Sequence, residues 1–109
     1  MLPTPSFRTL IYVAGPYSAT TENPSIEHNI QNAWKVAFKY WQKGYAVLCP
    51  QANSYHMDAA AHYNDFIEGT MEMLERCDGV VMMTGWEKSV GARGEHARAK
   101  ELKIPIHYE

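Results

Sequence analysis

Long apolar runs are missing from this chain. No stretch approaches the roughly 20 apolar residues that a membrane-spanning helix needs. Nor does the opening Met1-Leu2-Pro3-Thr4-Pro5-Ser6 combine a charged region with an apolar core, as a secretory leader does. Positive charge is also scarce. Ten Lys and Arg stand against twelve Asp and Glu, giving a formal charge of -2 and a pI near 6.2. That balance offers no electrostatic footprint for a nucleic-acid polymer or an anionic membrane surface. Cysteine is nearly absent. Cys49 and Cys77 are the only two, each in or beside an apolar segment, and they lack the spacing of a zinc site or a disulfide framework. Reduced, packed thiols in a soluble cytoplasmic protein are the expectation. With no internal repeats, linkers or low-complexity tracts, residues 1–109 are expected to form a single domain.

What the chain does have is enough apolar surface for a core, at 46% hydrophobic and 12% aromatic residues. Leu10-Ile11-Tyr12-Val13-Ala14 reads as a buried strand that stops at Gly15-Pro16. Ile26, Ile30, Ala33, Trp34, Ala37, Phe38 and Trp41 recur at spacings of three and four, which predicts an amphipathic helix ending at Gly44. Tyr45 to Cys49 is a second strand, closed by Pro50. Residues 51 to 61 have no clear period and are read as a loop that has room for a helical turn. A second helix is predicted over Tyr63 to Arg76, a third strand over Gly79 to Met83, a third helix over about Gly91 to Leu102, and a last strand over Ile104 to Tyr108.

Helices alternating with short buried strands imply a parallel sheet. The fold class is therefore α/β: a flavodoxin/Rossmann-like three-layer sandwich with four, at most five, parallel strands in the order 2-1-3-4. That order puts the topological switch point between strands 1 and 3, where open α/β sheets bind ligands. The segments that follow those two strands, Gly15-Pro16-Tyr17-Ser18 and Gly85 to Glu95, would then face each other.

The second segment carries the chemistry. A strand that empties through Ser89, Gly91 and Gly94 into a helix start can bring backbone N–H groups close to an anion. Glu95, read as lying in the first turn of that helix, is the reactive candidate. An acidic residue there commonly does no more than compensate the helix dipole, but a carboxylate beside such a turn can attack a sugar carbon. Tyr17 would sit above the strand ends and either orient Glu95 or touch a sugar, and Ser18 would donate to a phosphate. Asp65, Glu68 and Glu72 share a helix face, and Asp65 or Glu68 is the candidate acid partner of Glu95. Trp86 is either a stacking platform for a base or a packing residue. Lys88, Arg93 and Arg98 are candidates to balance an anionic substrate, and Asp78 reads as a turn residue before strand 3. His56, His62 and Asp58 match no standard ligand spacing, so neither a metal nor a cofactor is expected.

Several of these residues fall into one pattern. Ile11 to Ser18, then Gly44-Tyr45-Ala46-Val47 and Pro50, then Cys77 to Val81, then Gly85-Trp86, Ser89, Gly91-Ala92, Glu95 and Ala99, and finally Ile104-Pro105-Ile106, resemble the nucleoside 2-deoxyribosyltransferase superfamily. The likeness covers nearly the whole chain. It is nearest to a small phage- or bacterium-encoded branch related to the 2'-deoxynucleoside 5'-monophosphate N-glycosidases. It implies cleavage or transfer of the N-glycosidic bond of a (deoxy)nucleoside or its 5'-monophosphate, by a homodimer or higher homo-oligomer acting on a small-molecule substrate. It also implies that Glu95 is the nucleophile, that Tyr17 lies in the loop that supplies a tyrosine, and that Ser89 binds a 5'-phosphate. Gly15, Pro16, Ser18, Trp86, Ser89, Gly91 and Arg93 make up the expected substrate-binding set, with Glu95, Tyr17, Asp65 and Glu68 as the catalytic one.

The chain departs from the pattern at one point. Relatives place a catalytic Asp seven residues before the position of Cys77, and here that residue is Thr70. A threonine cannot act as a carboxylic acid. The departure motivates a second reading, a nucleotide-binding module without turnover. A third reading makes the helix bearing Trp34, Tyr40 and Trp41 an interface for a partner.

Overall fold

A computed structural model describes residues 1–17, 25–53 and 61–109. Among them, four strands form one parallel sheet in the order β2-β1-β3-β4. The strands are β1 (Leu10–Ala14), β2 (Ala46–Leu48), β3 (Gly79–Met82) and β4 (Ile106–Tyr108). The helices are α1 (Ile26–Gln42), α2 (Pro50–Asn53), α3 (Tyr63–Glu75) and α4 (Val90–Glu101), with a single 3-10 turn over Trp86–Lys88.

Successive side chains of a strand point to opposite faces, and the core divides accordingly. Tyr12, Ala14, Val80 and Met82 pack with Leu74, Cys77, Ala92 and Ala99 on the α3/α4 side. Ile11 and Val81 pack with Tyr40 and Tyr45, and Val13 and Met83 with Ala33 and Ala37, on the α1 side. The sheet is thus a middle layer between helices, as the alternation of elements predicts. None of the described helices is long and apolar enough to cross a membrane.

Local chemistry sets the boundaries. Ser25 caps α1 by accepting from the His28 N–H, and Gly44, at φ +98°, takes the left-handed conformation that ends the helix. The strands are shorter than the sequence suggests. Tyr45 and Cys49 flank β2, and β4 begins only after Pro105. The apolar stripe of α1 is wider than its buried face. Ile30, Ala33, Ala37 and Tyr40 are buried, whereas Trp34, Phe38 and Trp41 are 51%, 64% and 48% exposed. Of the two thiols, Cys77 is buried and Cys49 half-buried, and neither is in a disulfide. Asp78 joins β3 to β1: its carboxylate accepts from the Leu10 N–H at 2.9 Å, and its own N–H donates to the Leu10 carbonyl.

Candidate active site

At the C-terminal ends of β1 and β3 the chain encloses a cavity of about 390 Å³. Such a volume lies in the range of small-molecule sites. Val13, Ala14, Gly15 and Tyr17 form the β1 wall, and Pro50 and Gln51 of α2 close one side. Asn64, Phe66, Ile67, Thr70 and Met71 of α3 face residues 89–92, Gly94 and Glu95 at the start of α4.

One glycine and two alanine positions explain this convergence. At Gly15 an added Cβ would lie 2.6 Å from the Met83 sulfur and 2.8 Å from Met83 Cβ, so the ends of β1 and β3 approach this closely only without a side chain. In α4, the buried Ala92 and Ala99 lie three residues before and four after Glu95, so Glu95 shares the face that packs on the sheet. Its carboxylate therefore points inward. Ser89 caps α4, accepting from the Ala92 N–H at 3.2 Å, and starts the helix early enough to put Glu95 in the second turn rather than the first. Dipole compensation is not its role there.

The partner of Glu95 is Tyr12, whose buried phenol donates to Glu95 Oε2. Burial pushes the Glu95 carboxyl up to about 7, and the Tyr12 hydrogen bond offsets part of that shift. Burial, and then the neighbouring carboxylate, push the Tyr12 phenol well above its ordinary value, while the Thr70 side chain beside it acts in the opposite sense. Tyr12 is thus a permanently protonated donor clamped on a carboxyl that titrates near neutrality.

The expected site residues separate into two groups. Gly15, Tyr17, Ser89, Gly91 and Glu95 line the same cavity. The hydroxyl that holds Glu95 belongs to Tyr12, however, and not to Tyr17, whose carbonyl instead accepts from Asn29 Nδ2 at 3.0 Å. Asp65 and Glu68 are exposed and form no part of the cavity wall among the described residues. The Asp65 carboxylate accepts from the His62 N–H at the start of α3, a capping contact that turns it away from Glu95. Trp86 is also elsewhere. The left-handed Gly85 turn throws its indole onto the rings of His96 and Tyr108, at centroid distances of 4.2 and 6.1 Å. Arg93 is exposed, and Arg98 pairs with Glu75 and Glu101. Pro16 is not among the residues that line the cavity, and its carbonyl accepts from Gln51 Nε2. Ser18, His56 and Asp58 lie outside the described residues, among which no group of His, Cys, Asp and Glu is placed to hold a metal.

Sequence reasoning missed Tyr12 and Gln51. Gln51 is buried and donates both amide hydrogens, to the carbonyls of Gly15 and Pro16, each at 2.9 Å. It thereby fixes the turn that carries Tyr17. A polar residue three positions past the C-terminal end of β2, on the ligand-binding edge of the sheet, is the signal that points to it.

Fold and site together define an α/β sandwich with a carboxylate-bearing cavity at its switch point. Within that class the chain belongs to the family described as a domain of unknown function, DUF4406, whose model matches residues 9–108. Among solved structures it is similar to a 2-desoxiribosyltransferase from Leishmania mexicana. The TM-score is 0.61 and the identity 19%, over 92% of this chain and 63% of that one. The likeness is one of fold, and the chain spans less than two thirds of that protein's length. No curated protein matches the chain.

Proposed function

We propose that this chain cleaves or transfers the N-glycosidic bond of a (deoxy)nucleoside or its 5'-monophosphate, with Glu95 as the nucleophile. One observation carries the reading: among the described residues one carboxyl, that of Glu95, lines the cavity, and the Tyr12 phenol holds it in place. In the ionised form one Glu95 oxygen accepts from Tyr12 while the other attacks C1'. The bond from C1' to the base breaks and a glycosyl ester forms on Glu95. Water then gives hydrolysis, and a second base gives transfer. Being ionised is a condition of attack, so the rate should rise with pH through about 7. The fold shared with the Leishmania mexicana enzyme, named as a 2-desoxiribosyltransferase, supports the reading. The branch related to monophosphate N-glycosidases is part of the same proposal.

The test is a panel of deoxynucleosides and their monophosphates, assayed for free base by chromatography. Wild type should release base and Glu95→Ala should not. Equal inertness of the two proteins across the panel would sink the catalytic reading.

A second reading, retention of the ligand without turnover, draws on Thr70. It lines the cavity, and its hydroxyl donates to the Ile67 carbonyl at 3.0 Å. Ligand-induced stabilisation that persists in Glu95→Gln, with no base released by wild type, would favour it.

Self-association belongs to the same proposal. Trp34, Phe38 and Trp41 project at least 48% exposed from one face of α1, and Phe7 stacks on Trp41 at 6.4 Å. Two copies of that face would bury on the order of 1,000 Å², the lower bound of a specific interface. Sedimentation of wild type against Phe38→Glu measures it, and a monomeric wild type excludes it.

A further inference from the structure

Among the described residues that line the cavity there is one carboxyl, and glycosyl transfer from a neutral base asks for two. One must attack C1' as a carboxylate while another protonates the departing base. Glu95 cannot do both in the same step. Among the described residues that line the cavity there is no other Asp or Glu, and no His. The hydroxyls of Ser89 and Thr70 and the amides of Gln51 and Asn64 do not give up protons near neutral pH. Both Gln51 amide hydrogens are committed to the Gly15 and Pro16 carbonyls. The Tyr12 proton is committed to Glu95. The remaining phenol, Tyr17, is not a carboxylic acid, the group that protonates the leaving atom in two-carboxylate glycosyl transfer.

The charge inventory points the same way. All ten Lys and Arg side chains of the chain belong to the described residues, and none lines the cavity. The walls are otherwise apolar: Val13, Pro50, Phe66, Ile67, Met71 and Val90. Among the described lining residues, a positively charged group entering this space meets one carboxylate and no Lys or Arg.

We infer that the preferred substrate is an N-glycoside whose leaving base already carries a positive charge, a base quaternised at a ring nitrogen. An N7-alkylated purine or a pyridinium has this chemistry. The inference rests on the reading of Glu95 as the nucleophile. Attack of Glu95 forms the C1'–O bond as the C1'–N bond breaks. The electron pair of that bond returns to the ring nitrogen and neutralises the base, so no proton is needed. Water then attacks C1', the ester electrons return to the Glu95 carboxylate, and the water's proton passes to solvent. The sum is cationic nucleoside plus water giving sugar, neutral base and one proton.

The experiment compares 7-methyl-2'-deoxyguanosine with 2'-deoxyguanosine on the wild-type protein. kcat/KM is measured for each, beside the spontaneous rate at the same pH. General acid catalysis contributes on the order of 10²–10⁴-fold. Without it, the methylated substrate should lead by at least about 10², and the ratio should be as large as the spontaneous one. A pyridinium arm uses nicotinamide riboside, and cleavage of one cation or of both identifies the base while supporting the inference. Thr70→Asp should compress the ratio by supplying an acid to the cavity wall. Comparable cleavage of the neutral and methylated nucleosides by wild type would overturn the inference while leaving Glu95 as nucleophile. It would mean that an acid other than the groups named above protonates the base. If neither substrate is cleaved faster than by Glu95→Gln, both the inference and the reading it rests on fall.

Discussion

Replacing Glu95 by Gln should stabilise the folded chain increasingly as pH rises from about 4.5 through 7, with the full difference reached just above neutrality. Burial raises the Glu95 carboxyl from its ordinary 4.5 to about 7. Between those values the folded chain holds a proton at this site that the unfolded chain has already released. Stability therefore falls as pH rises across that window, because there the unfolded state binds fewer protons. At roughly 1.4 kcal/mol per pH unit the full loss is about 3 kcal/mol, complete somewhat above pH 7. Glutamine keeps the shape and still accepts from Tyr12, but it never ionises. The two proteins should thus have similar urea midpoints near pH 4.5 and diverge with rising pH, the variant becoming more stable by about 3 kcal/mol at pH 8.5. For a chain of this size the corresponding gap in Tm is on the order of 10 °C. Every other titrating group is common to both proteins, so the difference isolates position 95. Urea unfolding followed by circular dichroism at several pH values measures it. Parallel pH profiles for wild type and variant would refute the claim that a buried carboxyl faces the cavity. The gain in stability should be matched by complete loss of activity.

Three further predictions concern its neighbours. Tyr12→Phe removes the hydrogen bond that holds the Glu95 carboxyl down, so the alkaline-rising limb of the kcat/KM profile should move to higher pH, and an unmoved limb would separate Tyr12 from the reaction. Gly15→Ala forces a Cβ against Met83 and should cost about 1–3 kcal/mol in chemical denaturation; pairing it with Met83→Ala should recover part of that loss, and no recovery would exclude the proposed clash. Gly91→Leu adds a side chain in open space at the cavity lip, so stability should change by less than about 0.5 kcal/mol while KM rises several-fold; an unchanged KM would remove Gly91 from the binding surface.

Much of the architecture is legible in the sequence because two periodicities are nearly undisturbed. The β-branched runs at 10–14 and 79–83 stand between stretches with helical spacing, and the order 2-1-3-4 follows from packing them. The site is less legible. Tyr12 sits in an apolar run, and only the side of the sheet it faces decides whether its hydroxyl meets Glu95 or solvent. Asp65 and Glu68 lie near the cavity in sequence, but the start of α3 uses one in a cap and leaves the other exposed. For Glu95 the signal was present, since Ala92 and Ala99 flank it at helical spacing and mark its face as the buried one. Aromatic spacing misleads on α1, where Trp34 and Phe38 fit the same period as the core residues but fall just beyond the sheet's edge.

Gln51 grips main-chain oxygens and nothing else of the first turn. Its two bonds would form equally well beneath other side chains at neighbouring positions, so they impose no constraint on which residues ring the opening. A lineage built on this scaffold can exchange the groups that greet an incoming molecule while the floor under them stays fixed. Changes of selectivity can then accumulate separately from changes in the position of the reacting carboxyl.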